Sequence, residues 1–354
     1  MRNADQQRVP RPGHIRQRRN EATLGGRRRR SGKTLHLAPV LLAIWLLACL
    51  GECPADDLPN SLSPALTSDS RATSSVEPPA KLQAELEAML KLASTGARYV
   101  PTSQRQLQVA ERLFARTMCD ETDDAALQRA WQQLGWELLP LGPLDARVWV
   151  LREQADRKEG RGLFAFRRAT DRWIALEAPH AFYDRHTREI ALQLFAKSDF
   201  VAVGWNTLHR STYDAAHTND NCLTSFTRAL VGTGSHAMVV QLHGFSQRKR
   251  LFAAGATADV ILSDGTRNPK TWLVTAGAIM DRHQQYGTIR TFPSEIRELG
   301  GTTNAQGSAL RRLGSGRFLH IEMSKSLRSL LVRDERTCRQ LLKDLVAIYR
   351  TSPQ

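Results

Sequence analysis

Short apolar runs alternating with helix-period stretches predict a three-layer α/β sandwich. Its central sheet is expected to be mixed and largely parallel, with a helical N-terminal segment ahead of it. Three observations carry this. Runs of four or five residues (Trp173–Leu176, Phe200–Gly204, Met238–Leu242, Ala258–Leu262, Phe318–Glu322) recur from residue 137 onward. Stretches with helical spacing, Thr187–Ala196 and Asn219–Leu230, separate them, and Thr337–Tyr349 closes the chain. Such alternation buries a sheet between helices on both faces. Finally, a chain of 354 residues that is 41% hydrophobic has the length and composition for a large core.

Taken in order, residues 1–53 read as a basic export signal. Eleven Arg or Lys in residues 1–33 face only Asp5 and Glu21, so +9 of the net +15 sits there and +6 is left for the rest. Leu37–Leu50 (LAPVLLAIWLLACL) follows. It is shorter than the roughly 20 apolar residues of a membrane span, and it has the order of a charged region, an apolar region and small residues. Leu46-Leu47-Ala48-Cys49 resembles a bacterial lipobox, which makes Cys49 the candidate for lipidation; a plain signal peptide or an uncleaved anchor is the alternative. The protein is therefore expected in a bacterial envelope, periplasmic or membrane-anchored. The other cysteines, Cys53, Cys119, Cys222 and Cys338, form no CxxC, which argues against a structural zinc cluster, and four cysteines allow three disulfide pairings.

Residues 54–79, rich in Pro, Ser, Thr and Asp, read as a disordered linker. Residues 80–136 read as helical: Lys81–Ser94, Gln104–Met118 with Ser103 as N-cap, and Asp123–Leu134, forming either a covering layer or part of the same domain. Residues 137–354 are expected to be the α/β domain. Ala146–Leu151 and Leu163–Arg167 around Gly160-Arg161-Gly162 predict a hairpin. Lys270–Met280 is ambiguous between strand and helix, and Gly300-Gly301-Thr302-Thr303-Asn304 reads as a loop. The body carries no aromatic-interleaved basic stripe, so no nucleic-acid partner is expected.

Polar residues gather where the predicted strands end, the edge at which open α/β sheets bind ligands. Trp173–Thr187 (WIALEAPHAFYDRHT) sets down His180 and Asp184 after an apolar run. Asn206, His209 and Arg210 follow Phe200–Gly204, with Asp214 and His217 beyond; His243 follows Val239–Leu242, and Glu322 ends the last run. A hydrolytic zinc site needs three His or carboxylate ligands, a general base and a cation for substrate or oxyanion, and this set supplies each. Asp214 and His217, three apart, are either metal ligands in place of Asp184, groups orienting a ligand histidine, or a structural pair. No P-loop, dinucleotide fingerprint or GxSxG elbow is present.

Pro179-His180 with Asp184, Leu242-His243-Gly244, and Ile321-Glu322-Met323-Ser324 with Leu327-Arg328 together resemble the zinc-dependent carboxypeptidase-like hydrolase superfamily. The likeness is nearest to its N-formylglutamate amidohydrolase and poly-γ-glutamate hydrolase branches and spans Ile174 to Arg328. The spacing departs from His-x-x-Glu, because an Asp stands four positions after His180. The resemblance implies zinc on His180, Asp184 and His243, lowering the pKa of its water towards about 7. It implies Glu322 as the base that passes a proton to the leaving amine, and Arg210 on a substrate carboxylate or the oxyanion, helped by Asn206 and Arg328. The expected activity is hydrolysis of an amide or peptide bond in a small carboxylate-bearing substrate, of cell-wall peptide or γ-glutamyl type. The alternative is a non-catalytic envelope lipoprotein that uses the same fold to bind a ligand or partner.

Overall fold

The computed structural model of the protein describes residues 79–119, 124–142, 148–168, 170–234, 236–314 and 317–351. The export signal, Cys49 and nearly all of the expected linker lie outside the described residues. No helix among the described residues is long and apolar enough to cross a membrane.

Three helices come first: α1 (Pro79–Ser94), α2 (Gln104–Met118) and α3 (Asp124–Gln133). Ser103 caps α2 as expected. Its hydroxyl accepts from Gln106 N at 3.3 Å and its own N–H donates to Gln106 Oε1 at 3.0 Å, which satisfies two N-terminal donors reciprocally. Strands β1 (Trp136–Leu141), β2 (Val148–Glu153) and β3 (Leu163–Arg167) follow as an antiparallel meander. The remainder runs β4 (Ile174–Ala178), α4 (Thr187–Ala196), β5 (Ala202–Trp205), α5 (Cys222–Thr233), β6 (Met238–Gly244), α6 (Ala253–Thr257), β7 (Val260–Ser263), α7 (Trp272–Asp281), β8 (Ile289–Thr291), α8 (Ala305–Arg312), β9 (Phe318–Met323), α9 (Lys325–Arg333) and α10 (Glu335–Thr351). The ambiguous Lys270–Met280 stretch is therefore helical.

The strands form one mixed sheet of order β1-β2-β3-β5-β4-β6-β9-β7-β8, parallel through its centre from β5 to β9. Consecutive residues point to opposite faces, and the core divides accordingly. Leu176, Val240, Leu242 and Ile321 pack with Leu86 of α1, Phe195 of α4 and Leu345 of α10. Ala175, Val239 and Phe318 pack with Phe114 of α2, Trp131 of α3 and Phe226 of α5. Within that second cluster Phe114 meets Phe164 and Phe226 with centroids 4.8 and 5.6 Å apart, the edge-on geometry aromatic quadrupoles favour. The helical N-terminal segment is thus split, with α1 on one face of the sheet and α2 and α3 on the other.

Candidate metal centre

The site grows out of a change of character along one face of three parallel strands. In register, Ala175 of β4, Val239 of β6 and Phe318 of β9 form an apolar row. Two residues on, the same face carries Glu177, Gln241 and His320. Two further, it carries His243 and Glu322, while the chain leaving β4 turns through Pro179 into His180. The sheet therefore passes from core to chemistry within four residues, at its C-terminal edge.

His180, Asp184 and His243 converge there, each at most 5% exposed. His180 Nδ1 lies 3.2 Å from Asp184 Oδ2 and 3.2 Å from His243 Nδ1, and the third side, His243 Nδ1 to Asp184 Oδ2, is 3.7 Å. A tetrahedral ion with bonds of about 2.0–2.1 Å separates its ligand atoms by about 3.3 Å. The triangle is therefore of the size a divalent ion needs, and two imidazole nitrogens and a carboxylate are a zinc-type donor set. Asp184 does not cap α4. The residue preceding that helix is His186, in a left-handed conformation with φ 75°, and Asp184 Oδ2 instead accepts from Gly244 N at 3.0 Å. A side chain at Gly244 would collide with the Arg328 guanidinium, its Cβ falling 2.3 Å from Arg328 Cζ, so this close approach requires glycine.

Burial on its own would raise the pKa of Asp184, but the hydrogen bond from His180 overrides it and holds the carboxyl well below the usual range. His243 is depressed to about 4 by burial, with the neighbouring His180 adding to the effect. At neutral pH Asp184 thus offers an ionised carboxylate and His243 an uncharged imidazole, the forms that bind a cation, while, against burial, the Asp184 and Asp214 carboxylates raise His180 above its ordinary value.

The far nitrogen of each histidine is held. His180 Nε2 meets Asp214 Oδ1 at 2.9 Å, and Asp214 also takes His217 Nδ1 at 3.1 Å and Arg210 Nε at 2.9 Å. His243 Nε2 meets Gln241 Oε1 at 2.7 Å. Such outer contacts set ring orientation in metal sites. His180, Asp214 and His217 also lie within 4.8 Å of one another, as do His243, His320 and Glu322. In the first of these sets His180 faces Asp214 through Nε2, whereas it faces Asp184 and His243 through Nδ1, so the two groups use opposite nitrogens of one ring.

Glu322 is 8% exposed and its Oε2 has no hydrogen-bond partner among the described residues. Burial, with the Asp184 charge adding, pushes its carboxyl up to about 8. A buried carboxyl without a partner carries a desolvation cost that the surrounding residues leave uncompensated. His320, 3% exposed with Nδ1 likewise unpartnered among the described residues, lies against His243 with the rings tilted by 35° and centroids 4.6 Å apart.

Of the residues expected to meet substrate, Arg210 stands at the rim. Its side chain is 37% exposed, and among the described residues its two Nη atoms make no hydrogen bond. Tyr183 lies beside it, with Arg210 Cζ 5.9 Å from the ring centroid and His209 edge-on at 5.0 Å. Asn206 and Arg328 are placed otherwise. Asn206 Nδ2 donates to the carbonyls of Pro179 (3.0 Å) and Leu208 (3.2 Å) and pins the exits of β4 and β5 together. Arg328 donates to the carbonyls of Met323, Phe245 and Arg185, and so ties down the segments following Glu322, His243 and Asp184. Glu177, Gln241 and His320 escape a reading of the sequence alone. Their only signal is a polar residue at every second position of an otherwise apolar run.

No family model and no curated protein matches the sequence. Several solved structures are similar to part of the chain. N-formylglutamate amidohydrolase from Ralstonia eutropha JMP134 is 14% identical with a TM-score of 0.37, over 54% of this chain and 96% of that one. Zinc-free YndL is 16% identical with a TM-score of 0.35, over 55% and 92%. A putative carboxypeptidase from Burkholderia mallei ATCC 23344 is 8% identical with a TM-score of 0.36, over 63% and 66%.

Proposed function

We propose that this chain is an exported zinc-dependent hydrolase that cleaves an amide or peptide bond in a carboxylate-bearing substrate, of cell-wall peptide or γ-glutamyl type. The observation that carries the reading is the triangle of His180, Asp184 and His243 with Glu322 nearby, its Oε2 buried and without a hydrogen-bond partner among the described residues. The ion that His180, Asp184 and His243 would hold supplies Lewis acidity, drawing the pKa of the attacking water down towards about 7 and polarising the scissile carbonyl.

The chain's own residues do the rest. Glu322, as carboxylate, takes a proton from the attacking water as the new C–O bond forms, and then gives it to the amide nitrogen as the C–N bond breaks. Its low-dielectric surroundings make it a strong base for the first transfer and a ready acid for the second. Asp214 holds His180 in place, and Arg328 fixes the segments that carry Asp184, His243 and Glu322 relative to one another. Arg210 presents a planar fork suited to a substrate carboxylate. Export rests on the basic and then apolar N-terminus.

The test is hydrolysis of a panel of N-acyl amino acids, γ-glutamyl oligomers and cell-wall peptides by the zinc-loaded full chain. Carboxylate-bearing members are expected to be cleaved, with loss of turnover in Glu322→Gln. Turnover that survives Glu322→Gln, or no cleavage across the panel, contradicts the proposal.

A further inference from the structure

Beneath His243 lies a closed set of buried polar side chains that the hydrolytic mechanism does not use. Glu177, Gln241 and Gln306 are fully buried, and Asn304 is 2% exposed. We propose that Gln241 and Glu177 are positioning residues that fix the His243 imidazole as its Nε2–H tautomer, leaving Nδ1 as the lone-pair donor facing Asp184 and His180. The inference rests on the metal-centre reading above.

The tautomer follows from donor and acceptor logic that starts at two backbone groups. Gly307 N–H can only donate, and it bonds Asn304 Oδ1 at 2.9 Å, so the NH2 of Asn304 is the end that meets Gln241 Oε1 at 2.5 Å. The Ala215 carbonyl can only accept, and it takes Gln306 Nε2 at 2.9 Å, so Gln306 turns its Oε1 to Gln241 Nε2 at 3.1 Å. Both neighbours therefore orient the Gln241 amide the same way, and a flip would set NH2 against NH2 and oxygen against oxygen. Glu177 Oε2 accepts from the same Gln241 Nε2 at 2.8 Å. With Gln241 Oε1 so fixed, His243 Nε2, 2.7 Å away, must be the protonated nitrogen.

Glu177 closes the set as a neutral acid. Thr227 Oγ1 lies 2.5 Å from Glu177 Oε1 and 2.8 Å from the Leu223 carbonyl, and its single proton can serve only one of them. A proton on the carboxyl serves the other contact, in keeping with complete burial away from any cation, which pushes Glu177 up to about 7. Glutamine at this position reproduces every contact: its oxygen accepts from Gln241 and its NH2 donates to Thr227.

Two readouts on the full chain test this. The first is nitrogen-15 NMR of the histidine rings in the metal-free protein, expected to show His243 protonated at Nε2. The second is Zn2+ affinity by competition with a chelating dye. Gln241→Met and Glu177→Leu are expected to weaken zinc by about 10–100-fold, whereas Glu177→Gln stays within about twofold of wild type. Tyr286→Phe, which removes the buried 2.6 Å bond to Asp344 away from the site, serves as the control, changing stability but not zinc affinity. An Nδ1–H tautomer in the wild type, or wild-type zinc affinity in folded Gln241→Met and Glu177→Leu, overturns the proposal. A wild type that binds no zinc sinks the metal reading instead, while the tautomer measurement still decides this one.

Discussion

Two glutamates, Glu153 on the antiparallel flank and Glu322 at the parallel centre, are both 8% exposed and otherwise opposite. Glu153 ends β2 and accepts from the backbone N–H groups of Glu159 (3.0 Å), Gly160 (3.0 Å) and Arg161 (3.2 Å) and from Arg161 Nε at 2.8 Å. Glu322, one residue before the end of β9, has Oε2 without a hydrogen-bond partner among the described residues. The two arginines nearby repeat the contrast. Arg161, its side chain 4% exposed, is locked on Glu153 and the Leu134 carbonyl, while Arg210 keeps its fork open at the rim. Burying a carboxylate costs several kcal/mol unless hydrogen bonds and a counter-charge offset it. The fold offsets much of that cost where the glutamate holds a hairpin together, although burial still raises the Glu153 carboxyl above its ordinary value. It leaves the cost standing where a reactive base is wanted, the pattern expected of functional sites.

Substitutions should separate the two regions cleanly. Glu322→Gln is expected to reduce turnover by about 10²–10⁴-fold, with zinc content unchanged and the fold at least as stable, as read by steady-state kinetics, metal analysis and urea unfolding. Glu153→Ala is expected to do the reverse. Leaving buried Arg161 with only the more distant Glu159 carboxylate, 3.4 Å from its Nε, should cost up to about 3–5 kcal/mol of stability, with zinc affinity unmoved. If Glu153→Ala impairs zinc binding, or Glu322→Gln destabilises the protein, the division between structural and reactive carboxylates fails.

A smaller effect is expected at Arg210. Arg210→Met should raise KM by about 10-fold for a carboxylate-bearing substrate and leave kcat nearly alone. A fall in kcat instead would move Arg210 to the developing oxyanion. Smallest is a slope in the metal-free protein. Between the ordinary value of 4.5 and about 8, folded Glu322 keeps a proton that the unfolded chain has released. Its contribution to stability is therefore fully present below 4.5, declines as pH rises through that window and levels above about 8. Urea midpoints of the wild type measured against Glu322→Gln should differ by that decline, and parallel curves would show that Glu322 titrates normally.

Much of the fold was legible because periodicity survives in isolation. The expected bounds of α2 and α4 match those in the structure, and each expected strand lies at or within two residues of its place. Elements whose signal is weak escaped. Strand β1 carries Pro140, tolerated because it lies at the sheet edge, and β8 has three residues. Helix α8 hid behind a Gly- and Thr-rich approach whose last residue, Asn304, proves to be its N-cap, accepting from Gly307 N. In the site, His180, His243 and Glu322 stood out as polar residues ending apolar runs. Glu177, Gln241 and His320 did not, since each looks isolated on its own strand and only the register of three strands makes them a row. Asn206 and Arg328 illustrate the converse: a polar side chain near a site reads the same in sequence whether it faces a ligand or three backbone carbonyls.

The central claim is that His180, Asp184 and His243 form one metal centre served by Glu322, and zinc stoichiometry of the full chain at neutral pH tests it most directly. One zinc per chain is expected, lost in His180→Ala and in His243→Ala and retained in Glu322→Gln. A wild type without bound zinc, or one whose zinc survives both histidine substitutions, contradicts it.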